Sequence, residues 1–158
     1  MDHTIIKTDW LTHKTELSSI RTRVFMQEQA VSEADEWDGL DEQAIHFLVL
    51  AGDAPDQLPI GCARLLDETF GESARRFHIG RVALLEAYRG CGLGNQLMGF
   101  ILDYCRLAAP GQQIYLHAQT ERLGFYQQLG FTAVGDEFMD AGIAHFTMYY
   151  TPEDTQDG

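Results

Sequence analysis

RRFHIGRVALLEAYRGCGLGNQLM, residues 75–98, is the stretch on which the reading of this chain turns. Apolar residues alternate through Phe77 and Ile79 and reappear at Val82 and Leu84, so the phase slips by one at Gly80-Arg81. Strand side chains alternate faces with a period of two, and a slip within one strand therefore predicts a β-bulge, which bends the strand and frees backbone groups from the ladder. Next come Arg89 and three glycines at alternate positions, Gly90, Gly92 and Gly94. A helical pattern follows, with Leu93, Leu97, Met98, Ile101, Leu102 and Cys105 on one face, and it stops before Pro110-Gly111. Glycines at a helix N-terminus let backbone N–H groups approach an anion such as a diphosphate. The spacing excludes two common phosphate loops. Counting from Gly90, the sixth position is Asn95 rather than the last glycine of a dinucleotide fingerprint, and no lysine follows Lys14, as a Walker A loop would require. A tight connection whose glycines only relieve crowding is the other reading of the triplet at this point.

Outward from this stretch, HTIIKTDW (residues 3–10) reads as a strand and THKTELSSIRTRVFMQEQ (12–29) as a helix, with Leu17, Ile20 and Val24 on one face and Thr12 as its cap. Residues 31–43 break the pattern with six acids and Gly39, which predicts a structured loop with a solvated face or a rim that attracts a cationic amine. An EF-hand calcium loop does not fit, because with Gly39 at its sixth position the first ligand would fall at Ala34. AIHFLVLAG (44–52) and LPIGCARLLDETF (58–70) are strand-like around the turn DAPDQ. QIYLHAQ (113–119) is a strand with Ile114, Leu116 and Ala118 on one face, so His117 points the other way. TERLGFYQQLG (120–130) is a short helix with Thr120 as N-cap and Gly130 as its stop, and FTAVGDEF and AHFTMYY are the last two strands. The tail over residues 151–158 is expected to be disordered, leaving one domain over residues 1–150.

The formal charge of -13 argues against sequence-independent nucleic-acid binding and against an anionic membrane surface, and favours cationic substrates. Five arginines between Arg64 and Arg89 would form a local positive island in that acidic chain. Three cysteines without metal-ligand or redox spacing, a polar N-terminus and no run of ~18 apolar residues predict a cytoplasmic protein with no metal site.

GRVALLEAYRGCGLGNQLM, followed by LHAQ and GFYQQLGF, resembles the acyl-CoA-binding core of the GNAT acetyltransferase superfamily. RTRVFMQEQ, DGLDEQAIHFLV, CARLL and DEFMDAGIAHFTM are similar to its ElaA-like branch, so the likeness runs from Arg21 to Tyr150. The resemblance implies an α/β (α+β) fold, with a mixed, mostly antiparallel sheet of about six or seven strands flanked by helices and splayed between the fourth and fifth strands. It implies acetyl-CoA as cosubstrate, held by Val82, Ala83 and Leu84 and by Arg89, Gly90, Cys91, Gly92, Leu93 and Gly94, chiefly through main-chain N–H groups. The acceptor is then a small-molecule or peptide amine, and the resemblance admits a homodimer.

Acetyl transfer needs a neutral amine, yet an alkylammonium with pKa about 10.4 is overwhelmingly charged at neutral pH. A base must collect its proton, and an acid must protonate the leaving thiolate. Tyr126 matches the family's usual acid. Glu28, His117 and His145 match ElaA-like positions able to face the site: Glu28 and His117 as candidate bases, Glu28 and His145 as candidate substrate contacts, with a water chain as the alternative to all three as base. A non-catalytic acyl-CoA sensor, or a nucleotide-binding or interaction domain with the glycines as a connector, are the rival readings.

Overall fold

The computed structural model describes residues 2–70 and 74–151; of the tail expected to be disordered, residues 152–158 lie outside the described residues. The strands are β1 (His3–Thr8), β2 (Ile45–Ala51), β3 (Leu58–Phe70), β4 (Ala74–Leu84), β5 (Gln113–Gln119), β6 (Phe131–Asp140) and β7 (Ile143–Tyr150). The α-helices are α1 (Trp10–Arg21), α2 (Glu33–Glu36), α3 (Leu93–Ala108) and α4 (Leu123–Leu129). All seven strands join one sheet in the order β1-β2-β3-β4-β5-β7-β6, antiparallel except for the parallel neighbours β4 and β5. A parallel pair needs a long crossover, and α3 supplies it.

Alternation along the strands sorts side chains onto two faces. On one, Leu97, Met98 and Ile101 of α3 pack against Phe47, Val49, Leu65, Phe77 and Ile79. On the other, Leu17 and Ile20 of α1 pack with Leu48, Cys62 and Ala83. The cap of α1 is Asp9, not Thr12: the Asp9 carboxylate accepts the Thr12 N–H at 2.8 Å, and the helix starts two residues earlier, so that Trp10 enters the core. Thr120 likewise does not cap α4; it opens a 3₁₀ turn over Thr120–Arg122, and its hydroxyl donates to Glu137. Gly130, at φ 109°, ends α4 as expected.

The bulge lies where the phase slip put it. Cys62 opposes Ala83 and Arg64 opposes Gly80, so two steps along β3 face three along β4. Arg81, at φ 51°, sits in the left-handed region, which costs a non-glycine residue about 1–2 kcal/mol. Its guanidinium is anchored in return: Nε donates to the Glu36 carboxylate at 3.0 Å, and Nη2 donates to the carbonyls of Glu36 and Asp35 at 2.9 and 3.2 Å.

That anchorage corrects the reading of the acidic segment as a solvated face or an amine-attracting rim for Glu36 and Asp41 alone, whereas Glu33, Asp35, Asp38 and Glu42 are exposed as expected. Segment 31–43 folds as α2 and a 3₁₀ turn (Asp41–Gln43), and Glu36 and Asp41 are buried. Arg21 reaches Glu36 at 2.7 Å and Asp41 at 2.6 Å, with its guanidinium 4.8 Å from the Trp37 ring centre. Arg64 forks onto both oxygens of Asp38 at 2.8 and 2.9 Å and reaches Asp41 at 3.1 Å. Burial opposes ionisation of Asp38, but the hydrogen bonds and charge of Arg64 outweigh it and hold the carboxyl down at about 2. The positive island is neutralised in the same way, since Arg75 pairs with Asp67, Arg76 with Glu68 and Arg89 with Glu28.

Removing one member of a buried charge network strands the others. Glu36→Gln should therefore lower unfolding stability by about 3–5 kcal/mol, whereas Arg75→Ala, which breaks an exposed pair, should change it by about 0–1 kcal/mol; urea unfolding of both variants measures the contrast.

Candidate active site

β4 and β5 pair only from Arg76–Gln113 to Ile79–Leu116 and then part. A cleft of about 710 Å³ opens between them, walled by Gly80–Leu84 on one side and by His117 and Gln119 on the other. Leu85 N–H bonds the Ile60 carbonyl at 2.9 Å, so by alternation Val82 and Leu84 turn their main-chain groups away from β3 and toward the cleft. Arg89 crosses that edge: Nε donates to the Leu84 carbonyl at 2.9 Å, and Nη2 meets Glu28 at 2.7 Å.

The three glycines serve different needs. Gly90 and Gly92 have φ of 82° and 88°, and a Cβ at either would meet nothing within 4 Å. They are required by backbone conformation and leave open space beside the loop. Gly94 is packed closely instead, because a Cβ there would come within 3.3 Å of the Phe125 ring of α4, which would have to give by a few tenths of an ångström. Gly92 is the N-cap of α3 and offers no side-chain acceptor, so the N–H groups of its first turn are left to a ligand or solvent. Gly90, Gly92, Gly94 and Asn95 all line the cleft. Cys91 is exposed, with its thiol donating to the Tyr88 carbonyl at 3.2 Å, and the Leu93 side chain is buried in the α3 core.

Tyr126 lines the cleft from α4, edge-on to Phe125 and Phe131 at 4.9 and 6.0 Å between ring centres. Burial pushes its phenol up to about 12 against the opposing charge of Arg122. His117 and His145 also line the cleft. The His145 Nδ1–H donates to the Ile143 carbonyl at 2.7 Å, which leaves Nε2 of the neutral ring as an acceptor. His117 is exposed at the cleft mouth, 5.1 Å from the Phe138 ring, and partial desolvation lowers its pKa. Glu28 is the expected residue set apart: it ends a π-helical stretch, Thr22–Glu28, and meets Arg89 instead of lining the cleft. That wider turn carries Phe25 to the cleft, and beyond it Gln29 accepts from Gln119 of β5 at 2.9 Å.

Glu68 and His78 were not singled out from the sequence, yet both line the cleft. Strand alternation places His78, Tyr115 and His117 on the face that α1 leaves bare, a signal available in RRFHIG and QIYLHAQ.

A family model described as an acetyltransferase (GNAT) domain matches residues 14–152. The chain belongs to the GNAT acetyltransferase family. Among curated relatives of this GNAT protein, YyaT of Bacillus subtilis strain 168 is 38% identical over 137 residues, covering 84% of this chain and 85% of YyaT. ElaA of Escherichia coli strain K12 is 35% identical over 133 residues, covering 84% and 83% of the two chains. The crystal structure of E. coli ElaA superposes with a TM-score of 0.82, covering 95% of this chain and 100% of that one at 28% identity. An acyl-CoA N-acyltransferase from Pseudomonas aeruginosa gives 0.80 at 30% identity, with coverage of 95% and 100%. Among the described residues no helix is long and apolar enough to cross a membrane, and no cluster of His, Cys, Asp and Glu could hold a metal ion.

The division of labour among the glycines can be measured by thermal unfolding. Gly92→Ala must adopt a left-handed conformation and should destabilise this GNAT chain by about 1–2 kcal/mol, whereas Gly99→Ala, inside α3 with open space around it, should stabilise it by about 1 kcal/mol.

Proposed function

We propose that the chain is an acetyl-CoA-dependent N-acetyltransferase that moves the acetyl group to a primary amine by direct attack in a ternary complex. The observation that carries this reading is the bulged edge of β4, open toward β5 and continuous with the uncapped first turn of α3. An extended amide arm can bond the main chain of Val82 and Leu84 as an added strand would, and the first-turn N–H groups of α3 suit a diphosphate. Ala83 holds the strand to α1, and Gly90, Cys91, Leu93 and Gly94 shape the turn. Arg89, tied to Glu28 and the Leu84 carbonyl, positions that turn; in this reading Glu28 is its partner rather than the base. The name of the Pseudomonas protein, an acyl-CoA N-acyltransferase, supports the same class of cosubstrate.

Tyr126 is the acid. A phenol at about 12 is fully protonated at neutral pH, and a thiolate expelled into a desolvated cleft becomes a matching base. The chain's own thiols illustrate the size of this effect, as burial pushes Cys62 and Cys105 up to about 12. His117, the first β5 residue beyond the paired segment, takes the amine proton, and His145 contacts the acceptor. Cytoplasmic residence suits the three free cysteines.

Thermal unfolding in parallel with acetyl-CoA, CoA, ATP and NAD tests the cosubstrate. Acetyl-CoA and CoA alone should stabilise the protein, by about 2.7 kcal/mol at roughly 100 times the dissociation constant. Turnover is then assayed with a polyamine, an arylalkylamine and a lysine peptide. Tyr126→Phe should lower kcat by about 100-fold or more while leaving acetyl-CoA affinity unchanged, and an unchanged kcat would refute its role. Binding without turnover of any amine would favour the acyl-CoA sensor.

A further inference from the structure

On the sheet face that α1 leaves uncovered, His78 of β4 lies between Glu68 of β3 and His117 of β5. Its Nδ1 is 3.1 Å from a Glu68 oxygen, and its ring stacks on Tyr115 at 4.3 Å with 19° between planes. The His117 ring is 4.9 Å away, tilted by 59°. Glu68 also accepts from the Tyr115 hydroxyl at 2.5 Å and from Arg76 Nε at 3.2 Å. Ile79 and Leu116 form the last pair before the strands part, so His117 stands just beyond the fork and His78 just behind it.

We propose that His78 and Glu68 complete a proton exit from the acceptor amine, in which His117 takes the ammonium proton, passes it to His78, and Glu68 balances the charge that results. This deepens the transferase reading and rests on it. Donation from Nδ1–H to Glu68 leaves Nε2 of neutral His78 as the acceptor of the incoming proton. Burial lowers the pKa of His78 and partial desolvation at the cleft wall lowers that of the more exposed His117, so both are neutral bases at neutral pH. Burial also opposes ionisation of Glu68, but its hydrogen bonds from Tyr115 and His78 outweigh this and keep it a carboxylate. The other charges facing the pair are Arg64 of β3 and Arg76 of β4, which oppose an imidazolium, Asp140 of β6, which favours one at His117, and His145 of β7, which opposes it. Only His78 has a carboxylate on its ring nitrogen, so the proton moves inward, from His117 to His78.

The protons balance. The ammonium gives one to His117, and the neutral amine attacks the thioester carbonyl carbon. The C–S bond breaks, and the thiolate takes the Tyr126 proton. The second amine proton, lost as the tetrahedral adduct becomes the amide, replaces the one Tyr126 gave. One proton per turnover remains, and it leaves through His117 and His78. Glu68 is a positioning residue in this scheme.

The test combines kcat/KM profiles against pH with NMR titration of the imidazoles, in the wild type, Glu68→Gln, Glu68→Asp and His78→Gln. Loss of the carboxylate lowers the pKa of the coupled pair, so Glu68→Gln should move the acid limb of the profile to lower pH by about one unit, with a reduced plateau, and Glu68→Asp should restore it in part. His78→Gln should lower kcat about 10-fold at unchanged acetyl-CoA KM and should raise the His117 pKa by removing a like charge. Melting temperature and acetyl-CoA affinity check that each variant folds. A Glu68→Gln enzyme that is slower but keeps its acid limb would mean that the carboxylate only braces Tyr115 and Arg76, and would overturn the proposal, as would wild-type kcat in His78→Gln. A wild type that acetylates none of the amines refutes the transferase reading instead. The titrations need no turnover, so even then independent titration of His78 and His117 would refute the coupled pair.

Discussion

The lattice of Arg21, Arg64 and Arg81 with Glu36, Asp38 and Asp41, buried except toward Asp38 and Arg81, is the interaction on which the rest of the structure depends. It ties α1, β3 and the β4 bulge to one short acidic segment. Each ion would be costly to bury alone, and the lattice is tolerable because every carboxylate meets two guanidinium groups. The consequence reaches the cleft through Arg81. Its left-handed backbone is what inserts the extra residue into β4, and its side chain is held by the segment that carries Glu36. Electrostatics on one face of the sheet therefore maintain a main-chain irregularity that faces the cleft.

From the bulge the site follows by geometry. An undistorted β4 would continue to pair with β5, and no main-chain edge would be available inside the sheet. The bend ends the pairing after Ile79–Leu116 and exposes Val82 and Leu84. Arg89 then occupies the Leu84 carbonyl, so the strand edge and the glycine turn behave as one unit whose orientation depends on Glu28 at the end of the π-helical turn. The turn's two left-handed glycines keep its surface open, while Gly94 lets α4 approach closely enough for Tyr126 to reach the cleft.

How much of this was legible in the sequence depended on the range of the interactions involved. The bulge, the α3 face and the glycine loop were readable because strand phase, helical period and glycine spacing are local properties of residues 75–105. The caps were misplaced by small steps because Asp9 and Thr12 are both good caps, and only the entry of Trp10 into the core decides between them. The burial of Glu36 and Asp41 in the acidic segment was hidden for a deeper reason. The segment's partners Arg64 and Arg81 are distant in sequence, and charge composition does not say whether an acid meets water or a guanidinium. The same limit hid Glu68 and His78, which acquire meaning only when β3, β4 and β5 lie side by side.

Coverage of the sheet explains why polar chemistry gathers where it does. The face beneath α3 carries one apolar core across the strands from Phe47 to Met148. The opposite face has one long helix, α1, whose core reaches Leu48, Cys62 and Ala83. Beyond that footprint His117 is exposed and Tyr149 half-buried, and Tyr115 is covered not by α1 but by the His78 ring and the Arg76 guanidinium, 4.3 and 4.2 Å away. Aromatic rings and imidazoles suit such a face, because each presents a flat face for stacking and a polar edge for hydrogen bonds. The stack of Tyr149 on Tyr115, with Tyr115 on His78, is continuous, and it leads from the edge of this bare face to the fork between β4 and β5. A sheet left half covered thus supplies a wall of titratable groups on the same strands that part to form the cleft.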